Sequence, residues 1–295
     1  MLLYLVKQAV RSFQRKAQFT DIPRVRKGFV KIANRWYKPH PACSYVPQVI
    51  DGVPCEWTKP NGCAADKVLV YFHGGGYNAG GIETHRGITS QLAVLSNVQV
   101  LSVDYRLAPE HQFPAPIEDA VKVYQWLLHN NFSATKIAFG GDSAGGNLVV
   151  TTLLYLRDKN IRQPACAIAL SPWLDLTLSG HSFQTKQKEE PMLVAEAFPS
   201  WIKNYLAEAD PMQPYVSPVF DAAENLCPIY IQVGSAELLL DDSLRFAAKM
   251  KAAGGDITID VFEKYFHVFQ SFYRVLPKAR KANKLLATYV AERLQ

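Results

Sequence analysis

Gly141-Asp142-Ser143-Ala144-Gly145-Gly146 follows an apolar, β-like run, Lys136-Ile137-Ala138-Phe139-Gly140, and opens helix-like sequence from Ala144 to Asp158. A serine pinned between glycines where a strand turns into a helix predicts a nucleophile elbow. The turn is too tight for flanking side chains, and the serine is pushed into a strained backbone conformation. Its hydroxyl then stands clear of the sheet, beside the first N–H groups and the positive dipole end of the helix. The same pattern also occurs as an ordinary strand–helix turn, so its meaning depends on whether a base, an acid and an oxyanion site accompany it.

Outward from the elbow, strand-like and helix-like segments alternate. Gly52 to Lys59 reads as a first strand, with an Asn61-Gly62 turn after it, and Pro39 to Pro47 as a boundary before it. Lys67 to Phe72, Val98 to Val103, Cys166 to Leu170, Ile229 to Val233 and Ile257 to Phe262 are further strands. Helices are expected near Ile88 to Leu95, Pro116 to Asn130, Asp242 to Ala253, and from the last strand to Leu294. This rhythm predicts a mostly parallel sheet covered by helices on both faces, with functional residues at strand C-terminal ends. The rhythm breaks over residues 174–225, which hold no convincing strand but a helical stretch from Leu193 to Leu206. An insertion of that length is expected to be a lid. The division predicted is residues 1–45 as N-terminal cap helices, 46–173 and 226–295 as core, and 174–225 as cap insertion.

Composition narrows the class. The 295 residues are 48% hydrophobic and 12% aromatic, enough for a substantial core without disorder. The net charge of +6 is uneven: residues 1–38 carry ten Lys or Arg against Asp21, a net +9, so the remainder carries −3. A nucleic-acid partner is therefore not expected for the domain. Residues 1–18 have helical periodicity, with Leu2, Val6, Ala9, Val10 and Phe13 on one face and Lys7, Arg11, Arg15 and Lys16 mostly off it. Such a helix fits either a lid over a cleft, with its basic residues solvated, or the surface of an anionic membrane; the lid is favoured. A second basic helical stretch is expected near Val25 to Tyr37. No stretch approaches the length of a membrane span, and Met1 to Val6 is too short for a signal sequence. Cys43, Cys55, Cys63, Cys166 and Cys227 are odd in number and form no C-x-x-C pair, which points to free thiols and a reducing, cytoplasmic location.

The chemistry follows from order along the chain. Ser143 needs a base, and in an elbow protein the order is nucleophile, acid, histidine. Of seven histidines only His267 follows the last strand, in Tyr265-Phe266-His267-Val268-Phe269. The acid is sought after Val233, where Glu237, Asp241 and Asp242 occur. Glu237 is nearest the strand end and is preferred as the orienter of His267. Asp241 is the runner-up, because it and Asp242 stand where a helix begins and have a capping role there. His73-Gly74-Gly75-Gly76 supplies backbone that can approach a substrate closely; Gly74 and Gly75 are expected to donate to an oxyanion, with Ala144 as third donor. Without G-x-G-x-x-G or G-K-[ST], nucleotide binding is disfavoured. Tyr77, Trp173 and Val268 are candidate substrate contacts, and Asp142 is a structural neighbour.

Together, His73-Gly-Gly-Gly76, Asp104-Tyr-Arg-Leu-Ala-Pro-Glu110, Gly141-Asp-Ser-Ala-Gly-Gly146 and Ser171-Pro172-Trp173 resemble the hormone-sensitive-lipase-like branch of the α/β-hydrolases, the bacterial carboxylesterases related to arylacetamide deacetylase. The resemblance covers about residues 67–270. It implies an eight-stranded sheet, a cap built from the N-terminus and the insertion, hydrolysis of short- to medium-chain acyl esters, and no cofactor or metal. Two departures stand out. Glu237 fills the position where the family usually has Asp, and Asp241 matches its later acid. Val268 stands in place of the glycine of the family's His-Gly-Phe and adds bulk beside the base. An amidase or deacetylase on the same triad, and a non-catalytic ligand-binding relative, are the competing readings. The expected partner is a small ester; a homodimer and a membrane-surface contact through residues 1–18 are compatible with the sequence.

Overall fold

The computed structural model describes residues 1–14 and 21–294. Eight strands form one sheet: β1 (Cys43–Ile50), β2 (Val53–Pro60), β3 (Ala64–Phe72), β4 (Val98–Val103), β5 (Ile137–Asp142), β6 (Cys166–Leu170), β7 (Ile229–Gly234) and β8 (Ile257–Phe262). Their spatial order is β1-β2-β4-β3-β5-β6-β7-β8; β2 runs antiparallel to both its neighbours, β1 and β4, and the remaining pairs are parallel. The helices are α1 (Leu2–Gln14), α2 (Ile22–Trp36), α3 (Ile82–Ser96), α4 (Ala115–His129), α5 (Ala144–Asp158), α6 (His181–Thr185), α7 (Phe198–Leu206), α8 (Leu240–Ala252) and α9 (Pro277–Arg293). Strands β4 to β7 are buried at every position, as a parallel sheet covered on both faces requires, and this is why they read as mostly apolar runs without alternation.

The expected boundary at Pro39–Pro47 is in fact largely strand β1. Its residues alternate in exposure, and Pro47 is tolerated because β1 lies at the sheet edge, where a missing N–H disrupts little pairing. Helix α3 begins six residues before the expected Ile88, directly after Gly81. The expected helix over Leu193–Leu206 is shorter, a 3₁₀ turn at Ala195–Ala197 leading into α7. Among the described residues, 174–225 contain no strand and lie between β6 and β7.

Helix α1 is real, and its inward face coincides with the expected one only in part: Val6 and Val10 are partly buried, but Leu2 and Ala9 are not. Leu3 and Val6 pack against the cluster of Tyr265, Phe266 and Phe269, while Leu2, Tyr4 and Leu5 are exposed. Lys7 and Arg11 are not left in solvent. Lys7 Nζ donates to the Glu189 carbonyl (3.3 Å), Arg11 donates to the carbonyls of Lys188 and Glu189, and Gln14 Nε2 donates to the Met192 carbonyl (2.6 Å). Orphan carbonyls of the insertion thus draw the basic face inward. The expected contributions of Arg15 and Lys16 lie outside the described residues.

Candidate active site

Strand β5 ends at Asp142 and α5 begins at Ala144, leaving Ser143 alone in the turn at φ 54°, ψ −119°. Non-glycine residues adopt this conformation only where surrounding structure imposes it. Here the Ser143 N–H donates to the Leu170 carbonyl and its carbonyl accepts from Trp173 N (2.9 and 3.0 Å). Helix and strand approach closely beneath the turn: a Cβ on Gly145 would lie 2.0 Å from the Phe72 carbonyl oxygen. Ser143 remains partly exposed, so its hydroxyl is reachable.

Glu237 follows β7 and is fully buried. Its Oε1 accepts from the Ser171 hydroxyl (2.8 Å) and from Gly234 N–H. Oε2 lies 3.1 Å from His267 Nδ1; because a carboxylate only accepts, Nδ1 is the donor. No hydrogen bond from the described residues reaches the other ring nitrogen, Nε2. Ser171 also accepts from Val268 N–H (3.1 Å), so one hydroxyl holds both the acid and the loop carrying the base. Asp241 faces elsewhere: its Oδ2 accepts from Ser182 N–H at the start of α6. Asp242 is buried and accepts from Leu174 and Asp175 N–H (2.8 and 2.9 Å). Burial and the neighbouring Asp175 push its carboxyl well above the usual range. Of the three late acids, the structure brings only Glu237 to His267.

The glycine loop departs from expectation by one residue. Gly74 N–H is shared between Asp142 Oδ1 and His85 Nε2 (both 3.2 Å), so it is committed inside the fold. Gly75, Gly76 and Ala144 N–H donate no hydrogen bond among the described residues. The loop turns at Gly75 (φ 127°) and Gly76 (φ 62°), and a Cβ on Gly76 would lie 2.4 Å from the Trp201 ring. Positive φ and absent space both select glycine there. The open donors are therefore Gly75, Gly76 and Ala144, with Gly74 as their anchor.

That anchor is a second histidine–carboxylate pair. Asp142 accepts from Tyr71 Oη (2.8 Å), and His85 Nε2 lies 3.4 Å from its Oδ2. The other His85 nitrogen faces the Gly81 carbonyl (3.2 Å) and Thr84 Oγ1 (2.8 Å). Burial opposes charge on both partners, yet each offsets it for the other: Asp142 is held below the usual carboxylate range and His85 above the usual imidazole range. His73 is the contrary case. Burial and the adjacent His85 push it down to about 3, so it is neutral, and its Nδ1 donates to the Gly74 carbonyl (2.8 Å). Tyr105 stacks on His73 at 4.2 Å and donates to its carbonyl (2.6 Å), which gives the Asp104–Glu110 motif a role under the loop. From α2, Arg26 donates to Asn78 and Ala108 carbonyls and pairs with Glu110.

The expected substrate contacts fare unequally. Tyr77 is closed off from solvent; its hydroxyl donates to Asn147 Oδ1 (2.6 Å) and its ring stacks on Tyr205 at 3.9 Å. Trp173 is equally buried, its Nε1 donating to the Asp175 carbonyl. Both side chains are core, as large aromatics usually are, and shape the elbow from behind. Val268 stands beside His267 in the left-handed region (φ 47°, ψ 39°), which is strained for a β-branched residue. Sequence reasoning passed over Gly76, His85 and Glu190. Their signals are spatial: a loop register, a ring–carboxylate contact, and an insertion residue brought against the base.

A family model described as an alpha/beta hydrolase fold matches residues 69–271. The chain is 34% identical over 279 residues to an esterase of Acinetobacter venetianus, covering 94% of this chain and 91% of that one. It is 36% identical over 235 residues to an acetyl-hydrolase of Streptomyces hygroscopicus, covering 80% and 78%. The crystal structure of an esterase from the bacterial hormone-sensitive lipase family superposes with a TM-score of 0.96 at 35% identity, over 100% of this chain and 98% of that one. With its elbow, its glycine loop and an eight-stranded, mostly parallel sheet matching along nearly its whole length, the chain belongs to the hormone-sensitive-lipase-like family of α/β-hydrolases and is a carboxylic ester hydrolase.

Proposed function

We propose that the chain hydrolyses short- to medium-chain acyl esters through a Ser143–His267–Glu237 triad and an acyl-enzyme intermediate. His267 Nε2 takes the Ser143 proton as the hydroxyl oxygen attacks the ester carbonyl. The oxyanion that forms is held by the N–H groups of Gly75, Gly76 and Ala144. His267 then protonates the leaving alcohol, and in the second half it activates water to release the acid. Glu237 fixes the tautomer and stabilises the imidazolium that appears in each half. Each oxyanion donor is worth about 3–4 kcal/mol of barrier in comparable sites.

The observation that carries this reading is the buried Glu237 carboxylate on His267 Nδ1, with Nε2 left uncommitted on the loop beside the elbow. The acyl limit is supported by the aromatic residues of the insertion packed about the loop: Trp201 lies against Gly76, and Phe198 packs edge-on to Trp173. Ser143→Ala is expected to abolish turnover of p-nitrophenyl butyrate and labelling by a fluorophosphonate; retained turnover refutes the nucleophile. The same assay across ester chain lengths is expected to fall off beyond medium acyl chains.

A further inference from the structure

Behind His267 lies a second carboxylate that the triad does not use. Glu190 belongs to the insertion between β6 and β7, is only 4% exposed, and reaches across to the loop that carries the base. Its Oε2 accepts from the His267 backbone N–H (3.1 Å). Its Oε1 accepts from Met192 N–H (2.6 Å) and Leu193 N–H (3.4 Å) of its own segment. A carboxylate can bridge two sets of N–H donors because both oxygens only accept. An amide cannot, since its NH₂ end would meet an N–H.

We propose that Glu190 is a positioning residue for the base, joining the cap insertion to the His267 backbone and adding a second negative charge beside its ring. The inference rests on the triad reading above. Keeping a carboxyl buried here is costly, and an apolar side chain of similar volume would pack without that cost. Burial pushes Glu190 up to about 7; the His267 ring opposes that rise and Glu237 adds to it. The other charged groups around it are Lys7 and Arg11 of α1 and Lys186, Glu189 and Glu196 of the insertion. The insertion is itself clamped: Lys7, Arg11 and Gln14 donate to the carbonyls of residues 188, 189 and 192. Helix α1 and the insertion face each other across a cleft of about 520 Å³, with Glu190 and Leu238 among its lining. The chain of contacts runs from α1 through the insertion and Glu190 to the backbone of the base. Only a docked cap completes it.

Glu190→Gln keeps size and removes both the charge and one side of the bridge. It is expected to lower kcat on p-nitrophenyl butyrate about tenfold with KM within about twofold, as a small misplacement of a catalytic group does. The upper part of the acid limb of kcat/KM, near and above about pH 7 where Glu190 is ionised, is expected to move to lower pH, because the ring has lost a neighbouring negative charge. Glu190→Asp, which restores the charge, is expected to return the acid limb to the wild-type position. Wild-type kcat in Glu190→Gln, or a fall in kcat with an unmoved acid limb, overturns the proposal. Should Glu190→Gln not fold, Glu190→Asp decides. It is too short to bridge both loops, so its kcat is expected to fall at least about threefold, and wild-type kcat refutes the role. Ser143→Ala, assayed alongside, separates the two readings. Its retained turnover sinks the triad, whereas an inactive Ser143→Ala beside an unaltered Glu190→Gln sinks only the part given to Glu190.

Discussion

Two histidines each face a carboxylate in this molecule, His267 buried and His85 slightly exposed. His267 sits 3.1 Å from Glu237 and His85 sits 3.4 Å from Asp142. The difference is in the second nitrogen. His85 has both ring nitrogens occupied, Nδ1 against the Gly81 carbonyl and Nε2 between the Asp142 carboxylate and the Gly74 N–H, so neither is open to a ligand. His267 has only Nδ1 committed. The same chemical pair is a fastener where both ends are tied, and a proton carrier where one end is free. The fastener still bears on the glycine loop, because it takes the Gly74 N–H and leaves the next two N–H groups without a partner among the described residues.

The contrast can be broken at several points. Glu237→Gln leaves the working pair without its tautomer control, and kcat is expected to fall by about 10³–10⁴ as in other triads; steady-state assay on p-nitrophenyl butyrate checks it. Gly76→Ala attacks the floor that the fastener aligns. A Cβ there meets the Trp201 ring and a φ of 62°, so kcat is expected to drop about 10²-fold, with KM changing much less. His85→Asn loosens the fastener alone, and kcat is expected to fall about tenfold. Its stability effect has a sign. His85 is raised in the folded state, so the stabilisation from its charge is fully present below its unfolded value of about 6.5 and is lost as pH rises through its folded value. The gap in thermal midpoint between wild type and His85→Asn is therefore widest at pH 6 and below, and narrows on the alkaline side; a gap independent of pH would deny the charged pair. The smallest effect sharpens the choice of acid. Asp241→Asn, which keeps an acceptor for Ser182 N–H, is expected to leave kcat within about twofold, and a loss matching that of Glu237→Gln would exchange their roles.

Much of this was legible because it is local. Strand, glycine turn and helix are neighbours in sequence, so the tight turn at Ser143 is legible from Gly141 to Gly146, and β4 to β7 announce their burial on both faces. Local patterns also erred where a competing contact won. The alternation along β1 was hidden by the proline at its centre, which only an edge position excuses. Periodicity on α1 put Lys7 and Arg11 outward, but the unpaired carbonyls of the insertion, far away in sequence, drew them in. The open N–H groups of the glycine loop are those of Gly75 and Gly76, where Gly74 and Gly75 were expected, for a similar reason. Nothing in His73-Gly74-Gly75-Gly76 tells which N–H a distant carboxylate will claim.

Motif order and spacing, then, determined the family and singled out the candidate nucleophile, base and acid, because each is encoded by residues adjacent to a strand end. Tertiary structure decided which N–H groups stay open, that Tyr77 and Trp173 are core, that His85 and Asp142 form a closed pair, and that Glu190 of the insertion stands behind His267. These depend on which of several polar groups reaches a given partner across the fold. A buried donor or acceptor takes the partner that geometry brings within about 3 Å, whatever its distance along the chain.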